Sequence, residues 1–490
     1  MRTGGAMKTG IAGSSGCPHT KVEKQVLAMV APTTGEREKA RKAVEEATRL
    51  LDAVLKELGV KDYEVRVEGS YAKDTWLSGE LDIDLFILLP RSKCLDLIHA
   101  GLIDQIEEKL AKLGLRTERR YAQHPYARVL VHSYWVEVVP ACRVEKPGEV
   151  VTAVDRTPLH TRYILGRLEP HQRDEVRLLK SFLKGIGVYG AEIAVEGFSG
   201  YLAELLIAAY GCFRNVIAEA AKWKPPVIVD VNGAGYSRKE LLEKFGDKPM
   251  IVVDPVDPSR NAAAAVSTRS LAELVLAAKM YLREPRMEFF HVARTPPTTP
   301  QQAVASSGER VSNMVLLLLE PPQRVPPDTL WGVGKRALRL AVNLLERWGF
   351  HVIDYRVTAC TEGRILACIE LEERVTPPYT LHRGPPAWSG HALRFLEKYA
   401  TDPNAYGPWI DEEGRLVVIR ARRYQDAIHL LRDRAWEWLP GSASGYKVEV
   451  HPLLQGLLER RIEECELECL ASLAVKKPAW MRRLYHSQKP

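Results

Sequence analysis

Long apolar runs are missing from this sequence of 490 residues. The longest unbroken runs, such as residues 314–319, fall far short of the roughly 20 apolar residues with which a helix crosses a bilayer. Residues 1–20 are rich in Gly, Ser and Thr and lack an apolar stretch of signal-peptide length. We therefore expect no membrane span, and we expect residues 1–23 to be a disordered extension.

Cysteine is sparse and forms no metal-binding pattern. The sequence has eight cysteines and no Cys-x-x-Cys pair. Cys465 and Cys469 would share one face of a helix, but no second pair of His or Cys lies near enough in sequence to complete a zinc site. We therefore expect buried free thiols and a reducing, cytoplasmic location.

Composition excludes a disordered or fibrous protein, because hydrophobic residues (46%) and charged residues (27%) are close to the averages of globular chains. The length exceeds the roughly 250–300 residues that one core organises, so we expect several packed units. The net charge of +7, from 69 Lys and Arg against 62 Asp and Glu, favours an anionic partner. Residues 415–434 contain six arginines, and residues 476–490 are basic without any acid.

The hydrophobic pattern predicts a first α/β unit over residues 24–158. Apolar residues at helical spacing predict a helix over residues 36–58, closed by Gly59. Alternation predicts a strand over residues 63–67, and the nearly continuous apolar run 81–90 predicts a strand buried on both faces. A helix over residues 94–113 and strands over residues 127–132 and 134–139 complete the unit.

Two further regions follow. Residues 159–285 are predicted to be helical, whereas residues 286–490 combine helices and strands after a Pro- and Thr-rich linker at residues 286–300. The predicted helices and strands of these regions are residues 175–184, 200–212 and 270–283 (helices), 314–320 (strand), 330–348 (helix), 352–358 and 364–370 (strands) and 453–473 (helix).

Acidic residues interrupt two of the apolar strands. Asp82 and Asp84 lie two apart, so both side chains leave the same face about 6.6 Å from each other. Glu137 interrupts the strand over residues 134–139, which could bring it to the same point. A carboxylate inside an apolar strand costs several kcal/mol unless it is paired or coordinated. Three convergent carboxylates predict a site for two magnesium ions, and solvated ion pairs at strand ends are the alternative.

A phosphate-binding turn is predicted just before these acids. Gly69 and Ser70 lie at a strand-to-helix turn, where glycine allows close backbone approach and the hydroxyl adds a donor. Lys73, one turn later, can reach the same phosphates as a point charge. Taken alone, the same residues would also fit a common helix cap.

The sequence of residues 69–86, Gly-Ser-Tyr-Ala-Lys-Asp-Thr-Trp-Leu-Ser-Gly-Glu-Leu-Asp-Ile-Asp-Leu-Phe, resembles the head motif of the DNA polymerase beta-like nucleotidyltransferases. More narrowly, it resembles the archaeal (class I) CCA-adding enzymes. Further segments that carry this resemblance are residues 153–160, 176–184, 187–192, 197–202 and 252–261. The likeness is strong over residues 36–285, whereas the C-terminal third matches in element order and in Gly384-Pro385.

The resemblance implies an α+β multidomain fold. It would comprise a polymerase beta-like nucleotidyltransferase palm at residues 24–158, a helical middle domain at residues 159–285, and a mixed α/β RNA-binding region at residues 286–490. The implied activity is template-independent addition of C, C and A to the 3′ end of tRNA from CTP and ATP, with release of pyrophosphate. Another terminal transferase, such as a poly(A) polymerase, and an inactive RNA-binding scaffold are the alternatives.

Site residues carry over from the resemblance one by one. Asp82, Asp84 and Glu137 match the family's magnesium ligands, although the third position is commonly Asp. The residues that match positions contacting the triphosphate and sugar of the nucleotide are Ser70, Lys73, His160, Lys180 and Tyr189, next to Gly69 of the motif. Arg260 matches the position of an arginine that reads the C or A base, since its fixed fork of donors can satisfy both.

Read without the family, several of these residues have structural alternatives. His160 and Tyr189 could pack, Lys180 could lie on a solvated helix face, and Arg260 could brace the neighbouring turns through Asp257.

The C-terminal third is expected to hold the acceptor end of tRNA, mainly by its shape. Its basic residues could contact the RNA backbone, and its aromatic residues could stack on the end of the acceptor stem. These aromatic residues are Tyr424, Trp436, Trp438, Trp480 and Tyr485. A solvated surface is the alternative for residues 415–434, and assembly as a homodimer is left open.

Overall fold

The structure is a computed structural model that describes residues 17–121, 125–290, 299–360, 363–458, 463–476 and 480–481. It divides into two compact units: residues 1–294 together with 479–490, and residues 295–478.

The N-terminal half of the first unit is a helix-covered sheet. Its elements are α1 (Lys21–Val30), α2 (Thr34–Glu57), β1 (Glu64–Glu68), α3 (Gly69–Ala72), β2 (Ile83–Leu89), α4 (Cys94–His99), α5 (Leu102–Lys112), β3 (Thr117–Tyr121), β4 (Pro125–Val131) and β5 (Tyr134–Cys142). The strands are ordered β1-β2-β5-β4-β3, with β2 and β5 parallel and the other neighbours antiparallel.

Helix α2 buries one apolar stripe, including Ala43, Leu51 and Leu55, in the same core as the inward residues of β2 and β5. Its first turn is stabilised by a capping box, in which Thr33 and Glu36 each accept a hydrogen bond from the other's backbone N–H.

The remainder of the first unit is mainly helical. Its elements are α6 (Thr157–Arg167), α7 (Gln172–Gly185), α8 (Gly200–Tyr210), α9 (Phe213–Ala220), β6 (Val227–Val229), α10 (Arg238–Phe245), β7 (Met250–Val252) and α11 (Thr268–Arg283). Helices α7 and α8 are buried over most of their length; α8 is almost continuously apolar, whereas α7 also buries the polar side chains of Glu175, Arg177 and Lys180. Phe182 of α7 lies at the centre of a cluster of aromatic rings.

The second unit contains two antiparallel sheets, ordered β14-β8-β10-β9 and β11-β13-β12. Its elements are α12 (Pro300–Ser307), β8 (Met314–Glu320), α13 (Pro327–Arg347), β9 (Val352–Ala359), β10 (Ile365–Leu371), β11 (Tyr379–Pro386), α14 (Ala392–Ala400), β12 (Ala405–Ile410), β13 (Arg415–Ala421), α15 (Ala427–Asp433), α16 (Ala435–Trp438), β14 (Lys447–Pro452), α17 (Leu453–Leu458) and α18 (Glu464–Val475). Helix α13 packs its apolar face on the first sheet.

Several expectations need correction. The helix expected over residues 94–113 is two helices, because Gly101 takes a left-handed conformation (φ 79°) between α4 and α5. The helix expected over residues 453–473 is replaced by α17 and α18, with residues 459–462 outside the described part. The extension expected over residues 1–23 is ordered at its end, since α1 begins at Lys21; residues 1–16 lie outside the described residues.

The linker expected over residues 286–300 is also corrected at its start. Phe289 and Phe290 are buried in the core of the first unit, and Trp480 packs there with its ring centroid 5.8 Å from that of Phe289. Residues 291–298 are not among those described. Apolar rings in a Pro-rich stretch thus belong to a core that the local pattern did not indicate.

The expectation of free thiols is wrong for most cysteines. Among the described residues, disulfides join Cys17 to Cys212, Cys94 to Cys142 and Cys360 to Cys465. Cys368 and Cys469 are buried and take part in none of these disulfides. The bonded partners are 48 to 195 residues apart, so no short sequence spacing could indicate them.

In the described ranges no single helix is long and apolar enough to span a membrane; the bent pair α8 and α9 passes the same test of length and composition only when the two helices are taken together.

Candidate active site

The acidic residues of the two apolar strands lie side by side in the sheet. Asp84 of β2 is the register partner of Glu137 on the parallel strand β5. Asp82 immediately precedes β2 and has a largely exposed side chain, whereas Asp84 is half-buried. The parallel pairing of β2 and β5 therefore places Asp84 and Glu137 next to each other, although 53 residues separate them in the sequence.

Gly69 makes room for one of these carboxylates. Its backbone is left-handed (φ 68°), and a Cβ atom at this position would lie 1.7 Å from Oδ2 of Asp84. The turn between β1 and α3 therefore approaches Asp84 more closely than any side chain would permit.

Arg128, which the sequence reasoning missed, lies among the acids. It is the register partner of Glu137 on β4, and its Nη2 donates to Oδ1 of Asp82 at 2.7 Å. Its Nε lies 3.4 Å from Oε1 of Glu137. A guanidinium thus bridges two of the three carboxylates. The local sequence of β4 gives no sign of this role, because the partners come from other strands.

The buried carboxylates of the site favour the binding of a cation. Burial raises the pKa of the Asp84 carboxyl to about 6; Lys73 and Lys180 oppose this rise, and the carboxylates of Asp82 and Glu68 add to it. Burial likewise raises the pKa of Glu68, the register partner of Asp84 on β1. A carboxylate whose pKa is raised by burial and by neighbouring carboxylates, as at Asp84, is stabilised in its charged form by a positive ion.

The donor atoms of these residues are chemically suited to magnesium. Asp82, Asp84 and Glu137 offer the hard oxygen ligands that Mg²⁺ prefers. The guanidinium of Arg128 lies between Asp82 and Glu137 and supplies positive charge there, which shows that these carboxylates accept a cationic partner.

A pocket of about 570 Å³ opens beside the acids. Five of the sequence-predicted site residues line it: Ser70, Asp82, Asp84, Lys180 and Tyr189. Trp135 and Lys184 line it as well, and the Lys184 ammonium lies 5.2 Å from the centre of the Tyr189 ring. The pocket thus combines acids with cations and aromatic rings, which suits a nucleotide with its phosphates.

Lys73 and Lys180 meet at a buried acid that the sequence reasoning did not identify. The Lys73 ammonium donates to Oε2 of Glu204 at 2.6 Å, and the Lys180 Nζ lies 3.5 Å from Oε1 of the same residue. Thr75 donates its hydroxyl to Oε1 of Glu204 at 2.6 Å and accepts from Lys180 at 3.1 Å. The alternative of a solvated face for Lys180 is wrong, because its side chain is only 4% exposed.

His160 and Arg260 converge on a second buried acid, Asp254. Nε2 of His160 and Nη1 of Arg260 each lie 2.9 Å from Oδ2 of Asp254, and the Tyr201 hydroxyl donates to Oδ1 at 3.1 Å. The rings of His160 and Tyr201 stack with centroids 4.0 Å apart. Arg260 therefore pairs with Asp254, whereas the side chain of Asp257 accepts from Arg156. The Arg260 side chain stays 42% exposed, so its fork remains accessible to a ligand.

Several aromatic residues expected to stack on RNA are instead structural. Trp438 and Trp480 are fully buried and Tyr424 is nearly so, whereas Trp436 is 72% exposed. Tyr485 lies outside the described residues. Of the clustered arginines, Arg432 donates to the backbone of Val450, and Arg434 pairs with Glu437.

Family models match the chain in three consecutive regions. The models described as nucleotidyltransferase domain, as tRNA nucleotidyltransferase, second domain, and as CCA-adding enzyme, C-terminal domain, match residues 48–160, 174–291 and 310–449. The first two place the chain among the nucleotidyltransferases.

Similarity to individual proteins narrows the class of nucleotidyltransferases to the CCA-adding enzymes. The CCA-adding enzyme of Saccharolobus solfataricus is 38% identical over 407 residues, which are 83% of this chain and 90% of the relative. That of Pyrobaculum islandicum is 36% identical over 412 residues, 84% of this chain and 92% of the relative. A solved structure described as a cytoplasmic RNA terminal U-transferase is 15% identical, with a TM-score of 0.43, and covers 55% of this chain and 96% of that one.

The chain belongs to the archaeal CCA-adding enzymes, a family of tRNA nucleotidyltransferases. The family resemblance and the α+β multidomain fold class inferred from the sequence are thereby confirmed.

Proposed function

We propose that this enzyme adds C, C and A to the 3′ end of tRNA from CTP and ATP and releases pyrophosphate. The observation that carries the proposal is the pairing of Asp84 with Glu137, together with a pocket that Asp82, Asp84, Lys180 and Tyr189 line. Acids for metal ions and cations for phosphates are the two groups that nucleotidyl transfer requires.

We assign each residue a role from its place in the site. Asp82, Asp84 and Glu137 hold two magnesium ions, which when bound lower the charge on the triphosphate and polarise the attacking hydroxyl. Gly69 and Ser70 approach the phosphates, and Lys73 and Lys180 supply positive charge to them. Transfer then needs no covalent intermediate with the protein, because positioning and charge stabilisation account for the acceleration.

His160, Tyr189 and Arg260 are proposed to bind the nucleoside. Tyr189 lines the pocket and can contact the sugar. Arg260 is held by Asp254 through one nitrogen, which leaves other donors of its fork to read the base edge. A base with a different pattern of acceptors would leave these donors unpaired, which disfavours its incorporation.

A cytoplasmic location and assembly as a homodimer are further parts of the proposal. The disulfides do not oppose a location inside the cell, since intracellular proteins of hyperthermophilic archaea are rich in them. Light scattering on the purified protein tests the dimer.

The activity is tested with tRNA that lacks its last three nucleotides, supplied with Mg²⁺ and with CTP alone, ATP alone or both. We expect two added residues with CTP and three with both nucleotides. Asp84→Asn should abolish both additions and leave tRNA binding nearly intact, whereas Asp96→Asn, an exposed acid on α4, serves as the matched control. A long ladder of A would support a poly(A) polymerase, and tight tRNA binding without extension would support a scaffold.

A further inference from the structure

Glu204 is the most deeply buried charged group beside the pocket, and the roles proposed above do not include it. Its side chain is 1% exposed, and those of Lys73 and Lys180 are 9% and 4% exposed. Both oxygens of the Glu204 carboxylate are occupied, one by Lys73 and the other by Thr75 with Lys180 close by. A buried charge with this many partners is costly to place and must be compensated by them.

The contacts of Glu204 join segments that are far apart in the sequence. Lys73 and Thr75 follow α3 of the palm, Lys180 belongs to α7, and Glu204 belongs to α8, 131 residues after Lys73. Lys180 also donates to the backbone carbonyl of Thr75 at 3.0 Å. Glu204 thus brings the two lysines together, although it belongs to a different helix from either of them.

The start of α8 fits closely around the same group. A Cβ atom on Gly200 would lie 3.0 Å from the Tyr189 hydroxyl and 3.6 Å from Nζ of Lys180. Gly200 and Glu204 are four residues apart and so share one face of α8. One helix face therefore touches both Tyr189 and Lys180, two residues that line the nucleotide pocket.

We propose that Glu204 is a positioning residue for nucleotide transfer, which holds the ammonium groups of Lys73 and Lys180 side by side to meet the triphosphate. The proposal rests on the proposed function, because it assigns the two lysines to the phosphates. Glu204 acts through the lysines and not by contact with the nucleotide.

The charge balance explains why a carboxylate is needed here. Two ammonium groups and one carboxylate leave one net positive charge at the pocket. The charges of Glu204, Lys73 and Arg177 act on Lys180, and Lys180 in turn acts on Asp84; the Tyr189 hydroxyl lies near Lys180.

The pKa of Lys180 is lowered to about 8, mainly by burial; Glu204 opposes this fall, and the charges of Lys73 and Arg177 contribute to it. Without the carboxylate, Lys180 would lose its proton at a lower pH, and the two lysines would no longer be held together.

The test compares Glu204→Gln with the unmodified enzyme in steady-state addition to tRNA. Glutamine keeps the size of the side chain and removes its charge. At pH 8.5 we expect the KM values for CTP and ATP to rise about tenfold, with a much smaller change in kcat. At pH 6.5 the rise in KM should be several-fold smaller, because Lys180 then keeps its proton. Ratios of variant to unmodified enzyme at each pH cancel the titration of the nucleotides themselves.

Glu175→Gln is the matched control. Glu175 is a buried carboxylate on α7 that accepts from the backbone of Phe213 and pairs with His19, away from the two lysines. Its variant should show the general cost of removing a buried carboxylate, seen as a lower melting temperature, without a pH-dependent change in KM.

A milder variant keeps the proposal testable if Glu204→Gln does not fold. Thr75→Val removes the hydroxyl that links Glu204 to Lys180, and we expect the same pH-dependent rise in KM with smaller amplitude. A KM that is unchanged, or a loss of activity equal at both pH values, would overturn the proposal and leave Glu204 a purely structural residue. Failure of the unmodified enzyme to add nucleotides would instead overturn the proposed function.

Discussion

Gly69 and Asp84 are in such close contact that no side chain fits between them: a Cβ atom on Gly69 would lie 1.7 Å from Oδ2 of Asp84. Gly69→Ala should therefore displace the Asp84 carboxylate, in addition to straining a backbone with φ of 68°. We expect kcat for nucleotide addition to fall by about 100-fold or more, since misplacement of a reacting group by about 1 Å has costs of this size.

Gly59 provides the control for this substitution. Its φ is 71°, close to that of Gly69, but a Cβ atom there would meet nothing within 4 Å. Gly59→Ala thus imposes the same kind of backbone strain without a collision. It should lower the melting temperature slightly and leave kcat unchanged. Equal activity losses in the two variants would show that strain, and not the contact with Asp84, is responsible.

The sequence contains enough information to predict the acids but not their partners. Asp82 and Asp84 were recognisable because carboxylates stand out in an apolar strand, and Gly69 because it precedes them in one short motif. Arg128, Glu204 and Asp254 were missed, since each has a partner that lies 46 to 131 positions away in the sequence. Such partners are determined by strand register and helix packing, which local patterns do not specify.

The same limit applies to the strand and helix boundaries. The bounds of β8 were predicted well from its continuous apolar run, because a strand buried on both faces has no polar residue that interrupts the pattern. The break between α4 and α5 was missed, because a glycine inside a helical pattern is tolerated in many helices.

Asp254 should make the stability of the enzyme depend on pH in the acid range. Although burial alone would raise its pKa, hydrogen bonds and charge from His160, with Arg260, hold the pKa of Asp254 at about 2, below the ordinary 3.8. The ionised carboxylate therefore stabilises the fold above pH 4, and this contribution is lost as the pH falls from about 4 to about 2. A shift of this size corresponds to about 2 kcal/mol.

Denaturant unfolding of Asp254→Asn across this pH range checks the prediction. The variant should be less stable than the unmodified protein at pH 7, and the difference should shrink below pH 4. Asp247→Asn, a change at an exposed residue, is the control. A difference that stays constant down to pH 2 would contradict the assignment of this acid dependence to Asp254.

The disulfides predict a specific thiol count. Protein purified without reductant and then denatured should expose two reactive thiols, those of Cys368 and Cys469, and eight after reduction. Reduction should lower the free energy of unfolding, by roughly 2–4 kcal/mol for each bond lost. Quantitation with a thiol reagent and mass spectrometry of alkylated peptides checks both the count and the pairing. Eight reactive thiols without reductant would restore the expectation drawn from the sequence.

Trp436 and Trp438 lie two residues apart, yet their substitution should change the stability of the protein by very different amounts. Trp438 is fully buried, and its Nε1 donates to the carbonyl of Leu431 at 2.8 Å. Trp438→Ala should therefore lower the free energy of unfolding by about 3–5 kcal/mol, the usual cost of a large cavity. Trp436 is 72% exposed, so Trp436→Ala should change it by less than about 0.5 kcal/mol.

Binding of tRNA provides a second test of the exposed residue, Trp436. If Trp436 stacks on the RNA, its alanine variant should bind tRNA more weakly by about 1–3 kcal/mol while remaining fully folded. Circular dichroism during urea unfolding gives the stabilities, and a filter-binding titration gives the affinities. Unchanged affinity in Trp436→Ala would remove this residue from the RNA-binding surface, because its exposed ring would then contribute to neither folding nor binding.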